Sequence, residues 1–459
     1  MKTSIYFITC LTILFSCSCF ENKIEKENTK ATKYIAKKDV IKLNWLAPWY
    51  GEGQKEKLMR EIAREFEFLN QDISLKIDFP QKVFGEGFWF TQVEQNLWEM
   101  YQKDEWKYDL MICERNMMRS LSLKSNDPFW SKNNLVDFSQ DDWFIQAHKD
   151  GIITEEFKGT FGGIIPGPLL ESSVNILFVS NEIEKKLGLK VKRHDMEFSD
   201  FLTYAEAVYK YNLSHNDKIT FFSTQFQPAF IMLFQQLVLS EYGKTTFSSK
   251  KDTYNALSKL YPELEKLAAF KPLEQYTFYT NINIYEAQYI LNHDKYLFNL
   301  QPSWIVPLWM SSNPQGAKKM KPCEIPSLEG RKALSYPGNF TSLFAVPKNS
   351  KNIEAVKRLV RFMTTAEQGE KWIKYSKNPT GLKTRIVTTD FGTEEYDIFY
   401  RHIQNKFGVS LIEADLFYTF FGTPASGYKF DMSAFNNSFH ATDIVLGKIT
   451  AGEALNLLK

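Results

Sequence analysis

The segment 341–379 constrains the fold more than any other part of the sequence. Residues 341–346 are a short run typical of a β-strand, and Pro347 ends it. Apolar residues then recur at helical spacing across 353–363, while lysine and arginine occupy the other positions. A second helical pattern must end before Pro379, because the residue before a proline disfavours helical geometry. A strand followed by two amphipathic helices predicts one unit of an α/β domain.

A pattern near the amino terminus indicates how the strands pair. Residues 41–47 alternate like a strand, residues 54–69 carry apolar side chains on one helical face, and residues 73–79 return to a strand. A strand, a helix and a strand in this order imply parallel pairing with a right-handed crossover. We therefore expect sheets with parallel strands, flanked by helices.

The last helix has its own start signal. Thr450 precedes the final apolar pattern, and Glu453 follows three residues later. Threonine and glutamate at this spacing form a capping box, in which each side chain bonds to the other residue's backbone N–H. The sequence therefore predicts a helix that begins after Thr450.

Length and charge limit the possible classes of protein. A chain of 459 residues is too long for one ordinary core, so two domains are expected. The net charge of +2 does not favour a nucleic-acid or acidic partner. Aromatic residues make up 15% of the chain. Two sources of this excess remain open, namely a compositional bias and rings that line a site for a ring-shaped ligand.

The amino terminus has the pattern of a targeting segment. Lys2 precedes an apolar run at 5–15, which is too short to span a bilayer and indicates a signal peptide. The sequence Leu-Phe-Ser-Cys that ends at Cys17 resembles a bacterial lipobox, which predicts a signal peptide at 1–17 and a lipidated Cys17. Cys19 and ordinary secretion remain alternatives. Residues 18–40 are polar and predict a flexible tether. Of the other cysteines, Cys113 and Cys323 could form a disulfide in an oxidising compartment.

Several segments resemble the family 1 extracellular solute-binding proteins, which are the binding subunits of ABC sugar importers. The resemblance spans about 41–459 as an ordered series of weak motifs, although Phe198 stands where the family has tryptophan and Pro379-Thr380-Gly381 departs slightly from the family's proline-alanine loop. The segments that carry it are 108–113, 134–138, 170–211, 338–346, 350–357, 362–368, 378–382 and 447–455.

The resemblance implies an α/β fold of two lobes, like that of periplasmic binding proteins. Each lobe would be a mixed or parallel sheet flanked by helices, and crossover segments would join the lobes as a hinge. The first crossover is expected near 165–172 and a return crossover at 321–330. On this basis we assign 41–168 with 326–346 to the first lobe and 169–325 with 347–459 to the second.

The same resemblance, together with loop position, gives the candidate ligand-binding residues. They are aromatic rings that could stack on a sugar and polar groups that could bond to its hydroxyls. The polar pair after the strand 108–113 could equally be a solvated ion pair. A tryptophan such as the one in the segment 296–310 is more often a core residue than a ligand contact. The candidates are Trp49, Tyr50, Glu114, Arg115, Glu171, Trp304, Asn339 and Phe340.

No sequence signature of catalysis or cofactor binding is present. The chain lacks GxxxxGK[ST], HExxH, GxSxG and CxxC. Its 6 histidines, at 148, 194, 215, 293, 402 and 440, show no spacing typical of metal ligands. We therefore expect a protein that is not an enzyme and that has no cofactor and no metal.

The resemblance implies that the protein captures a carbohydrate, expected to be an oligosaccharide, by hinge closure and delivers it to an ABC permease. It would be held outside the cytoplasm by its lipid anchor, as a monomer. Two alternatives stay open. One is a surface lipoprotein of the same fold that acts as an adhesin or a sensor partner, and the other is a different solute such as a polyamine or an anion.

Overall fold

A computed structural model describes most of the chain. The residues it describes are 40–47, 54–79, 89–223, 233–234, 237–238, 241–242, 250–273, 293–303, 305–328, 336–342, 344–376, 378–385, 394–407, 411–412 and 440–457. Within these ranges no helix is both long and apolar enough to cross a bilayer.

The described strands form two separate sheets. One has four strands in the order β2-β1-β3-β9, and the other has six, in the order β10-β8-β4-β6-β5 with β7 also paired to β4. The strands are β1 (Ile41–Leu46), β2 (Ile73–Asp78), β3 (Leu110–Ile112), β4 (Leu169–Ser180), β5 (Thr220–Phe222), β6 (Tyr296–Pro302), β7 (Met320–Cys323), β8 (Tyr336–Ser342), β9 (Phe344–Ala345) and β10 (Leu411–Ile412).

Helices surround both sheets. Those within the described residues are α1 (Gln54–Leu69), α2 (Trp89–Lys103), α3 (Arg115–Ser125), α4 (Trp130–Asn134), α5 (Asp142–Ala147), α6 (Glu155–Thr160), α7 (Asn181–Lys186), α8 (Phe198–Ser214), α9 (Lys250–Ala268), α10 (Ile305–Ser312), α11 (Pro314–Ala317), α12 (Ile353–Met363), α13 (Ala366–Ser376), α14 (Glu394–Phe407), α15 (Ala441–Val445) and α16 (Ala451–Asn456).

The first sheet contains the predicted β-α-β unit. Strand β1 pairs in parallel with β2 and with β3, and β9 joins the other side of β3 in the antiparallel sense. Trp45 of β1 is fully buried, and its ring meets the edge of Phe344 at a centroid distance of 5.2 Å. Strand β9 therefore closes the core of a sheet whose other strands lie more than two hundred residues earlier in the chain.

The second sheet is built on β4. Strands β6, β7 and β8 all pair with β4 in the antiparallel sense, and β5 pairs with β6 in parallel. The face of β6 that carries Phe298 packs on Phe201 and Phe221, at centroid distances of 5.1 and 5.3 Å. Some of the aromatic residues therefore serve as core.

The order of the described elements shows that the chain passes between the sheets three times. The first lies between Ile165, whose carbonyl accepts from Phe138 N, and Leu169, where β4 begins. The second lies between the end of β8 and the start of β9. The third lies between α13, which packs on α1, and α14, which packs on β7. Three passages side by side form the connection that a hinge between two lobes requires.

Two of the predicted lobe boundaries differ from these contacts. The return to the first lobe was expected by residue 326, but β8 pairs with β4 of the second sheet until Ser342. Residues 347–459 were assigned to the second lobe, whereas α12 and α13 pack on α1 of the first sheet. The apolar face of α12 fits equally well against either lobe by pattern alone, so its sequence could not reveal which lobe it covers.

Cys113 and Cys323 do not form a disulfide. Both thiols are free and fully buried, one after β3 in the first sheet and the other at the end of β7 in the second. Burial raises the pKa of each thiol, because a thiolate would lose its hydration. Cys323 Sγ also donates to Leu177 O at 3.2 Å. Both cysteines therefore act as small core residues.

His148 fixes the start of β4. Its side chain is 0% exposed; Nδ1 lies 2.7 Å from Phe144 O, and Nε2 accepts from Leu169 N at 3.1 Å. The carbonyl can only accept, so Nδ1 carries the proton and the ring is neutral. Burial lowers the pKa of His148 to about 4. Protonation would remove the bond to Leu169, so this contact requires the neutral form.

We expect acid to destabilise the protein through His148. Its pKa is about 4 when folded and roughly 6.5 when unfolded, so the unfolded chain alone binds the proton between these values. The contribution of neutral His148 to the free energy of unfolding is complete above pH 6.5. It falls by about 3 kcal/mol as the pH drops to 4. Urea unfolding of the wild type and His148→Gln across this range measures the difference.

The matched control is His215→Gln, at an exposed histidine after α8. His148→Gln should show a flatter decline of the unfolding free energy with acid, and His215→Gln should follow the wild type. If the unfolding free energies of all three proteins decline in parallel with falling pH, His148 is not the group that causes the destabilisation.

Candidate functional site

The carboxyl ends of strands from both sheets define the candidate site. Strands β1 and β3 are parallel, so they end at the same edge of the first sheet. In the second sheet β4 pairs Asn175 with Pro302 at the end of β6, so the earlier residues of β4 lie beyond that end. Ligands of α/β proteins collect beyond the carboxyl ends of strands. The candidate site therefore lies where these two edges approach each other.

Glu171 lies at this junction and connects three segments. It is in β4, is 8% exposed, and accepts from Asn378 Nδ2 at 2.7 Å and from Lys55 Nζ at 3.3 Å. Lys55 belongs to the first turn of α1 in the first lobe, and Asn378 to the third passage. The ion pair between Glu171 and Lys55 therefore joins the lobes directly.

The two oxygens of Glu171 differ in their surroundings. Both bonds described above end on Oε1, and no described residue donates to Oε2. A carboxylate has about four lone-pair positions, so Oε2 retains capacity for further donors. Glu171 is thus held in place by one oxygen and can accept from a ligand with the other.

Asn378 extends the network into the second sheet. Its Oδ1 accepts from Ser303 Oγ at 3.2 Å, and Ser303 Oγ in turn accepts from Val174 N at 3.3 Å. Asn378 and Ser303 are fully buried. The amide nitrogen of Asn378 therefore orients Glu171. The amide oxygen is fixed through Ser303, which follows β6 and bonds to β4.

The loop after Asn378 binds to the start of β4. Ser172 N donates to Pro379 O at 2.7 Å, and Gly381 N donates to Leu169 O at 2.9 Å. Thr380 Oγ1 donates to Leu169 O at 3.0 Å. These bonds attach the third passage to the first, so the two connections move as one unit.

Glu114 and Arg115 follow β3, as the sequence predicts, but Glu114 has a structural role there. It is the N-cap of α3, and its Oε1 accepts from Met117 N at 3.1 Å. Such a bond satisfies one of the free N–H groups at a helix start. Arg115 is buried in the first turn of α3. A role in ligand binding remains a prediction for both.

The remaining predicted residues lie outside the described structure in whole or in part. Trp49, Tyr50 and Trp304 are not among the described residues, and neither is the predicted lipidation site Cys17. Asn339 and Phe340 lie in β8, opposite Ser173 and Ser172, but only their backbone is described. Their place in the site therefore remains a prediction.

Sequence reasoning missed Lys55, Ser303 and Asn378. The asparagine before Pro379 was interpreted only as the end of a helix, and Ser303 was overlooked beside Trp304. Ser172 Oγ and Gln301 Oε1 are buried close to this network and have no hydrogen-bond partner among the described residues. The signal that could have found Asn378 is an amide placed directly after the helix α13, in the loop that the resemblance singled out.

Burial also alters a charged group beside the first passage. Lys149 follows His148, and its N–H donates to Gly381 O at 2.9 Å in the third passage. Burial lowers the pKa of the Lys149 ammonium to about 8, because the charge is partly removed from water. A lysine with this pKa loses its charge at a lower pH than an ordinary lysine does.

No protein-family model matches the sequence, and no curated protein sequence matches it significantly. Its similarity to known proteins lies in the fold. Many solved structures share this fold. Three are a family 1 extracellular solute-binding protein from Bifidobacterium longum subsp. infantis, a sugar transporter protein from Bacillus licheniformis in complex with stachyose, and maltose-bound MalE3 of T. maritima.

These similarities cover nearly the whole of both chains. The Bifidobacterium protein is 15% identical with a TM-score of 0.59, over 91% of this chain and 97% of its own. The Bacillus protein is 16% identical with a TM-score of 0.53, over 91% and 98%. The T. maritima protein is 15% identical with a TM-score of 0.59, over 91% and 98%. The chain therefore has the two-lobed α/β fold of the solute-binding proteins.

Proposed function

We propose that this chain is the solute-binding subunit of an ABC importer and that it captures a carbohydrate between its lobes. The observation that carries the proposal is the match in fold over more than nine tenths of the chain to proteins solved with maltose and with stachyose. The match includes both lobes, so it extends to the arrangement from which such proteins form their binding cleft. A binding role of this kind needs no catalytic group.

The proposed mechanism is closure of the two lobes on the ligand. Three passages connect the sheets, and the first and third are bonded together through Leu169 and Gly381. A ligand that contacts both lobes favours the closed form by its differential affinity for that form. The ion pair between Lys55 and Glu171 would act at the same junction.

Glu171 is proposed to bind a sugar hydroxyl. Its Oε2 accepts from no described residue, while Asn378 and Lys55 hold its Oε1. A hydrogen bond to a charged group contributes about 1.5–3 kcal/mol, so one such carboxylate can set much of the specificity. The predicted polar candidates Glu114, Arg115 and Asn339 would complete the hydroxyl contacts.

The aromatic candidates would supply the apolar part of the site. Sugars present C–H faces that pack on flat rings, and most ligand sites combine such rings with a few polar groups. We assign this role to Trp49, Tyr50, Trp304 and Phe340, which the sequence places on loops or beside the crossovers.

We also propose where the protein acts and with which partners. Its signal peptide would direct it out of the cytoplasm, and a lipid on Cys17 would hold it at the membrane through the tether 18–40. The permease subunits of the importer would be its protein partners. Binding and release of the solute require one copy of the chain.

A sugar of the proposed class should stabilise the protein. A ligand at a hundred times its dissociation constant adds about 2.7 kcal/mol to the unfolding free energy, which raises the melting temperature measurably. We expect such a rise with maltose, stachyose or related oligosaccharides in a thermal-shift screen of residues 40–459. Polyamines, peptides and inorganic anions serve as the comparison panel. A rise with polyamines or anions alone would overturn the carbohydrate assignment, and no rise at all would favour an adhesin or sensor role.

Replacing Glu171 should weaken sugar binding. Glu171→Gln keeps the shape but removes the charge, so we expect a loss of affinity of about ten- to a hundredfold. Isothermal titration calorimetry with the sugar found in the screen measures it. The control is Glu155→Gln, at an exposed carboxylate paired with Lys158 in α6, which should bind like the wild type. Unchanged affinity in Glu171→Gln would remove this residue from the site.

Trp304→Ala separates a stacking role from a core role. If the indole stacks on the sugar, the variant should keep its melting temperature and lose binding. Circular dichroism and calorimetry distinguish the outcomes, since a variant that unfolds would indicate a core residue instead.

A further inference from the structure

Three side chains that are far apart in the sequence meet on the second lobe. His194 lies in the turn before α8, Glu324 directly follows β7, and His402 lies in α14. Glu324 Oε1 is 2.6 Å from His402 Nε2 and 3.7 Å from His194 Nδ1. The three donor atoms all lie within 4.8 Å of one another. Two imidazole nitrogens and one carboxylate oxygen therefore lie close enough together to share one ion.

The carboxylate is held in one orientation by its other oxygen. Glu324 is 4% exposed, and its Oε2 accepts from Asp195 N at 3.1 Å and from Lys406 Nζ at 2.8 Å. Lys406 Nζ also bonds to Asp195 Oδ1 at 2.8 Å and reaches Glu324 Oε1 at 3.1 Å. The backbone N–H of Asp195 orients the Glu324 carboxylate, as outer contacts do in metal sites, whereas the ammonium of Lys406 also bonds to the oxygen that would bind the metal.

The donor set and its dimensions suit a transition metal. Two histidines and one glutamate occur together as the protein ligands of zinc, with bonds of about 2.0–2.2 Å. A tetrahedral site with such bonds places its ligand atoms roughly 3.3 Å apart. The 2.6 Å contact between Glu324 and His402 must therefore open by less than about 1 Å, and the 3.7 Å contact with His194 must shorten slightly.

We propose that His194, Glu324 and His402 form a binding site for Zn²⁺ or a similar divalent transition metal. The imidazoles bind through Nδ1 of His194 and Nε2 of His402, and the carboxylate binds through Oε1. The side chain of His194 is exposed and that of His402 is half-buried, so the ion can enter from solvent and keep a water as its fourth ligand.

The site is separate from the proposed carbohydrate cleft. Glu324 follows Cys323, which pairs with Leu177 of β4, whereas Glu171 lies near the start of that strand. Six residues of strand separate Leu177 from Glu171 by about 20 Å. A metal here would connect the turn before α8, the segment after β7 and α14, all within the second lobe.

A variant of Lys406 tests whether the cluster binds a metal. The Lys406 ammonium bonds to both oxygens of Glu324, so it competes with a cation for the carboxylate. If the cluster is a metal site, Lys406→Met should strengthen zinc binding. If it is only a network of hydrogen bonds around Lys406, the same change should leave zinc binding as it was.

The experiment is isothermal titration calorimetry of the full chain with ZnCl₂, in buffer free of chelators. His194→Ala is the first variant, since an exposed side chain can be removed without loss of the fold. We expect its zinc affinity to fall at least about tenfold, and His402→Ala to do the same. His215→Ala is the control and should bind like the wild type. Circular dichroism confirms the fold of each variant.

Co²⁺ provides a second measurement that does not depend on stability. A four-coordinate Co²⁺ at this site should give visible absorption bands that disappear in His194→Ala and persist in His215→Ala. Equal zinc affinity in the wild type and both histidine variants would overturn the proposal, as would the absence of zinc binding to the wild type.

Discussion

The backbone at the start of β4 must satisfy its hydrogen bonds where the chain enters the second lobe. His148 accepts from the N–H of Leu169 where the strand begins, and the loop 379–381 bonds to the carbonyl of Leu169 and the N–H of Ser172. Three strands then pair with the rest of β4. Buried backbone groups without partners are costly, so these contacts fix where the first passage ends and where β4 can bend. The positions of Glu171 and Asn378 follow from that arrangement.

Local patterns predicted the elements that local physics controls. The β-α-β unit after residue 41 and the helix at 353–363 have the expected boundaries to within a few residues, and the next helix ends before Pro379 as predicted. The predicted capping box is confirmed: Thr450 Oγ1 accepts from Glu453 N, and Glu453 Oε2 accepts from Thr450 N. Each of these features depends on residues close together in the chain, so the sequence displays them directly.

Contacts between distant segments were not readable in the same way. The helix α12 has a clear apolar face, but nothing in that face shows whether it covers the first or the second sheet. Glu171 was found through its loop position, whereas its partners Lys55 and Asn378 lie 116 and 207 residues away. The histidines 194 and 402 were dismissed because metal-ligand spacing is sought along the chain, and theirs exists only in space. Pairing of this kind becomes visible only when the fold brings the segments together.

The late position of β9 in the sequence has a consequence for synthesis of the chain. The first sheet gains its edge strand at Phe344–Ala345, and α12 and α13 cover it only when residue 376 has been added. A ribosome extends the chain from the amino terminus, at about 5–20 residues per second. Trp45 therefore lacks its contact with Phe344 for tens of seconds while the whole second sheet except β10 is made. Because neither lobe is encoded in one continuous piece, the first lobe can complete its core only after most of the second has been synthesised.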